Sequence, residues 1–257
     1  MLANIVLFTA FGGVLPVLIA GLSLLLPQAT RDRMLPHSVS FATGTLLATA
    51  LLALIPHAME GAGPLHLHQI GIALLAGIGL FFVLEKFLLW RHCHTEAVET
   101  AHTHERHRHK ASGWLLMVGD GLHNFIDGVL IAAAFLTDFH LGVVTTLAIM
   151  AHEIPQEVGN FGVLLHGGFS RGKALLWNAL SSLTAVAGGI VGWWMLDTVM
   201  SLLPYALAVS AASLLYVAVA DLIPGLHKRT DLQAGALQLL WIGVGIGLIA
   251  FAESQLH

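Results

Sequence analysis

The chain has 257 residues, 56% hydrophobic and 10% charged, with 11 lysines and arginines against 15 acidic residues, and a mean hydropathy of +0.81. Soluble domains carry about 25% charged residues, so a soluble globular fold is excluded and an integral membrane protein is predicted. The lone cysteine, Cys93, excludes a disulfide framework, and a formal charge of −4 gives no attraction for nucleic acid.

Eight hydrophobic stretches follow in chain order, at residues 4–26, 38–58, 68–90, 113–136, 142–167, 172–194, 204–222 and 235–252. Most reach the roughly 20 helical residues that a hydrocarbon core requires. They are continuously apolar, without the period-two alternation of a β-barrel strand. The predicted fold class is all-α: a polytopic protein of eight transmembrane helices in the lipid bilayer, with 1–257 as a single membrane domain. The first stretch lacks the basic start of a secretory signal and reads as a retained spanning helix.

The eleven basic residues are Arg31, Arg33, Lys86, Arg91, Arg106, Arg108, Lys110, Arg171, Lys173, Lys228 and Arg229. All fall in or beside loops 1–2, 3–4, 5–6 and 7–8. Basic loops stay cytoplasmic, which places both termini on the non-cytoplasmic side. The short loops and small size suggest a plasma membrane of the bacterial inner-membrane kind. The segment 91–112 holds His92, His94, His102, His104, His107 and His109 in three His-x-His pairs. Its polarity predicts a disordered cytoplasmic loop that captures metal or simply links helices 3 and 4.

The sequence also repeats itself. Helix 2 ends in Leu54-Ile55-Pro56-His57 and helix 7 in Leu222-Ile223-Pro224-Gly225, while His123 and Asp127 in helix 4 mirror His152 and Gln156 in helix 5. These pairs predict a 3+2+3 inverted repeat, an arrangement that puts a transporter's site near the midplane.

Ionisable groups inside a membrane are costly and mark functional sites. On helix 4, Asp120, His123, Asn124 and Asp127 fall within roughly 100° of arc, and on helix 5 His152, Glu153, Gln156, Glu157 and Asn160 within roughly 140°. Imidazole with carboxylate oxygen and no thiolate suits zinc, iron or manganese. Asp127, Glu153 and Glu157 supply charge for one dication and conceivably a second. Pro155 removes a backbone donor beside them. At the outer ends of helices 2 and 3, His57, Glu60, His66 and His68 either gather cations or are solvated. Glu85 pairs with Lys86, and Asp120 and His166 stand where an exit would lie.

The stretches His123-Asn124-Phe125-Ile126-Asp127-Gly128 and His152-Glu153-Ile154-Pro155-Gln156-Glu157-Val158-Gly159-Asn160-Phe161 resemble the paired signatures of the ZIP family of divalent metal transporters, in its histidine-rich-loop branch. Further likeness runs through Phe41 to Gly44, Leu54 to Ala58, Phe81 to Lys86 and Leu215 to Ala218. The resemblance implies a homodimer importing zinc, or else iron or manganese, toward the cytosol by moving a helix bundle against a scaffold. It implies no resident cofactor beyond the transported ion. Its primary position would be His123, Asp127, His152 and Gln156, and its second would use Asn124, Glu153 and a shared Asp127. Helix 6 offers Asn178, Ser181 and Ser182 without a firm ligand. The chain departs from the branch pattern at Gln156 and Asn160, neutral amides in place of a histidine and an aspartate, which should weaken metal retention.

The alternative is a membrane-embedded zinc hydrolase, because His152-Glu153 opens like a His-Glu-x-x-His helix. Gln156 at the fifth position removes one of its two imidazoles.

Overall fold

The computed structural model describes residues 1–97, 105–166, 168–227 and 231–254. The side chains of Glu85, of His166 and of residues 87–116 lie outside the described residues, and so do residues 98–104 of the histidine-rich segment. Among the described residues there is no strand, and eight helical rods follow one another. They are α1 Leu2–Ser23, α2 Gln28–Ala62, α3 Leu67–Ala97, α4 Glu105–Thr137, α5 Phe139–His166, α6 Arg171–Thr198, α7 Met200–Leu226 and α8 Leu232–Ser254.

Several rods outrun their apolar stretches. Helical backbone continues through polar Gln28 to His37 before α2 reaches its apolar part, and it enters both ends of the 91–112 segment, to Ala97 and from Glu105. Hydropathy marks only what must face lipid, whereas backbone hydrogen bonding propagates past it. Six of the rods are long and apolar enough to cross a membrane. The two left out are α4 and α5, whose polar stripes lower their hydropathy.

Local chemistry sets the ends. Asp138 is the single residue between α4 and α5, and its Oδ1 accepts from the backbone N–H of His140 and Leu141 at 2.8 and 3.1 Å. Asp231 caps α8 through Ala234 at 2.8 Å. Such caps are worth about 1 kcal/mol each. Asp138→Ala should therefore lower thermal stability by about that amount and leave metal binding intact, as a melting curve with and without zinc will show.

Packing follows two sets of neighbours. α4 lies along α6 and α1 along α5, with α4 against α5 at the centre, while α2 lies along α8 and α3 along α7. Exchanging α1 with α6, α2 with α7, α3 with α8 and α4 with α5 carries the first pair onto the second and the third onto the fourth. That is the relation an inverted repeat demands. The backbone repeats it too: α2 widens into a π-helix over Thr49–Leu54 just before Ile55-Pro56, and α7 over Val217–Leu222 just before Ile223-Pro224. Each proline lacks the N–H that would bond the preceding turn and crowds its carbonyl, and the widened turn absorbs the misfit.

Glycine lets α4 and α6 approach. A Cβ at Gly128 would strike the Ala185 carbonyl, and one at Gly188 the Phe125 carbonyl. Two apolar clusters bracket the centre of this bundle. Leu130 to Phe135, Leu141, Val144 and Ile149 lie toward the α4–α5 turn, and Val17, Ala20, Met117, Phe161, Leu164 and Ala174 lie toward the opposite end. The polar stripes sit between them.

Candidate metal centre

The one-residue turn at Asp138 forces α4 and α5 to run antiparallel in contact, so their stripes face each other. Asp120, Asn124, Asp127, His152, Glu153, Glu157 and Asn160 are all buried, while Gln156 is half-buried and His123 keeps 22% of its side chain exposed.

His123, Asp127, His152 and Glu153 come together in one group whose donor atoms all lie within 4.8 Å of one another. The two Nε2 atoms are 3.2 Å apart. Asp127 Oδ2 is 3.7 Å from His123 Nε2 and 3.4 Å from His152 Nε2, and Glu153 Oε1 is 3.6 Å from each. A tetrahedral ion bound at 2.0–2.2 Å separates its ligand atoms by about 3.3–3.6 Å. Three edges of the group, at 3.4, 3.6 and 3.6 Å, fall in that range, and those of 3.2 and 3.7 Å lie just outside it.

The satisfaction of these groups points the same way. Both oxygens of Asp127 and both of Glu153 are buried without a hydrogen-bond partner among the described residues, and no lysine or arginine among those residues pairs with them. Buried carboxylates are rarely left so, because desolvating them costs several kcal/mol. Asp127, Asp120 and Glu157 each repel Glu153 when ionised. A dication relieves both the repulsion and the missing partners. His152 Nδ1 lies 3.4 Å from the Ala148 carbonyl one turn back, an outer contact that leaves Nε2 as the inward ligand. Pro155 lies inside α5 without ending it.

A second polar layer lies one turn farther from the α4–α5 turn. Asp120 Oδ1 accepts from Gln156 Nε2 at 3.2 Å and from Asn160 Nδ2 at 2.7 Å. Glu157 Oε1 accepts from Ser182 Oγ of α6 at 3.0 Å. Thr184 Oγ1 donates to the Gly121 carbonyl at 2.5 Å and lies 2.6 Å from the Ser181 carbonyl, fixing α6 against α4.

The expected residues thus divide. His123, Asp127, His152 and Glu153 form the tetrahedral group. Gln156, implied as a ligand by the family likeness, instead gives its amide to Asp120, and Glu153 stands beside the imidazoles. Asn124 donates to the Asp120 carbonyl at 3.1 Å. Glu157 belongs to the second layer. His57 bonds the Ala53 carbonyl at 2.9 Å and His66 the Gln69 side chain at 3.0 Å, both outside this group. The roles of Asp120 as a hub and of Ser182 as a partner are not visible in the α4 and α5 signatures. The available signal was Asn178 and Ser182, four apart on one face of α6.

A many-spanning helical membrane protein with a nitrogen and oxygen cage deep in its bundle is the class these observations define. The description ZIP zinc transporter matches residues 1–108 and 90–253. The chain is 30% identical to zinc transporter ZIP13 of Pongo abelii over 262 residues, covering 93% of this chain and 74% of that protein. It is 28% identical to zinc transporter YKE4 of Saccharomyces cerevisiae over 251 residues, covering 84% and 70%. With zinc transporter ZIP10 of Danio rerio the identity is 37% over 153 residues, 56% of this chain but only 18% of that much longer protein. The chain belongs to the ZIP zinc transporter family.

Proposed function

We propose that the chain carries a divalent transition-metal ion across the membrane toward the cytoplasm, zinc foremost, with iron and manganese as alternatives. The carrying observation is the set of donor separations between 3.2 and 3.7 Å among His123, Asp127, His152 and Glu153, made by buried carboxylates whose only close charged partners among the described residues are those two imidazoles. The relatives named as zinc transporters support the same cargo. Two imidazoles and two carboxylates bind the ion as a neutral set. Asn124, Gln156 and Glu157 support it from the adjoining turns. The most extensive helix contacts fall within the set α1, α4, α5 and α6 or within the set α2, α3, α7 and α8, which supports movement of one bundle against the other.

The distribution of basic residues supports termini on the non-cytoplasmic side, in a plasma membrane of the bacterial inner-membrane kind. We take 1–257 as one transport domain, with 91–112 a histidine-rich cytoplasmic loop, and the working assembly as a homodimer. The hydrolase alternative finds an amide at Gln156 turned to Asp120, where a second imidazole is needed.

Uptake of radiolabelled zinc into proteoliposomes, with iron and manganese as competitors, tests the proposal. Time-dependent accumulation dissipated by an ionophore is expected; binding without accumulation sinks it. Because ligands must be deprotonated to bind, zinc addition to the purified protein should acidify a weakly buffered solution. Uptake should fall as the outside pH is lowered, and a flat pH profile would contradict this ligand set.

A further inference from the structure

We propose that the second polar layer is a cation station of its own, built of oxygen atoms alone. It would take a hard or borderline divalent ion and receive cargo from the imidazole group before release. This rests on the transport reading above.

The layer is rich in acceptors, and three of its donors are already used by its own carboxylates. Asp120 Oδ1 holds the amide nitrogens of Gln156 and Asn160, and the carbonyl oxygens of the same two amides are further candidate ligands. Ser182 gives its hydroxyl proton to Glu157 Oε1. Asp120 Oδ2 and Glu157 Oε2 are buried with no partner among the described residues. Asn178 is an independent sign. It is completely buried, neither of its side-chain polar atoms has a hydrogen-bond partner among the described residues, and it continues the Ser182 face of α6 by one turn. Two carboxylates, repelling one another, with amide carbonyls and no lysine or arginine paired to them among the described residues make a cation cradle.

The two layers differ in chemistry. The first mixes imidazole nitrogen with carboxylate and favours zinc-like ions, while oxygen alone favours manganese, calcium or magnesium and holds zinc less firmly. A weaker station beside a stronger one suits passage, because an ion must bind well enough to enter and loosely enough to leave.

Cadmium-113 NMR of the purified full chain, with bound metal counted per chain, separates the stations. The parent should bind two cadmium ions and show two resonances, one from imidazole coordination and one upfield from oxygen alone. Asp120→Asn combined with Glu157→Gln should lose the upfield signal, keep the imidazole signal and bind one ion. His123→Ala combined with His152→Ala should do the reverse. Retention of the imidazole signal also shows that the first variant has folded. If the paired change prevents monodisperse elution, each single change is measured, and each should weaken the second ion about tenfold. The station is refuted if the parent saturates at one ion, meaning the layer holds water only. It is also refuted if the acidic variants keep both ions or lose both together. Survival of both signals in the histidine variant would instead refute the imidazole site.

Discussion

Asp127→Ala is expected to reduce zinc uptake by proteoliposomes to the level of protein-free vesicles. Asp127 Oδ2 is 3.7 and 3.4 Å from the two imidazole nitrogens, so one oxygen bridges both histidines. Asp127 and Glu153 are also the charges that neutralise a dication there. Removing one leaves an ion with a net positive charge in a desolvated cage, a penalty of several kcal/mol. Since about 1.4 kcal/mol is tenfold in affinity, the loss should be at least about a hundredfold. The variant has a second signature. Neither Asp127 oxygen has a hydrogen-bond partner among the described residues, so the metal-free protein should melt no lower than the parent, while the rise in melting temperature caused by zinc disappears. Uptake at half the parent rate would remove Asp127 from the binding set.

Gly188→Leu is expected to abolish monodisperse folded protein, or to lower its melting temperature far more than any cap mutation. A Cβ at Gly188 meets the Phe125 backbone carbonyl, and backbone cannot rotate away as a side chain can. The two rods would have to separate, and overpacking of this kind costs about 1–3 kcal/mol before any backbone adjustment spreads. The damage also reaches the site, since Phe125 directly follows Asn124 and stands two residues before Asp127 on the same helix. Gly247→Leu is the control: no atom lies within 4 Å of a Cβ there, and the variant should elute and melt as the parent does. Equal behaviour of the two would mean that the close contact of α4 with α6 contributes little.

The chain order of helices and the two polar stripes were readable because both rest on local rules, apolar length and the 100° step of a helix. His123, Asp127, His152 and Glu153 were all on those stripes. What the stripes could not say was which members meet, because neighbours on one face differ only in how their side chains extend. Gln156 shows the difficulty. Its position is that of an expected ligand, yet its amide turns to Asp120, an acidic residue read only as part of a way out. Partners on a third helix were harder still. Ser182 reaches Glu157 across 25 positions of sequence, and no periodicity within either helix encodes that contact. The extra length of α2 through Gln28 to His37 was hidden for a different reason, since hydropathy reports solvent and not backbone.

The single residue joining α4 to α5 decides how cargo is handled. All four members of the tetrahedral group come from this one tight hairpin, with Asp138 clamping the bend. If α1, α4, α5 and α6 move together as proposed, an ion held there would travel with both of its supports. It would pass α2, α3, α7 and α8 without breaking and remaking its bonds at a sliding boundary. Discharge would then begin with water arriving at the open ends of α4 and α5, the end farthest from the bend.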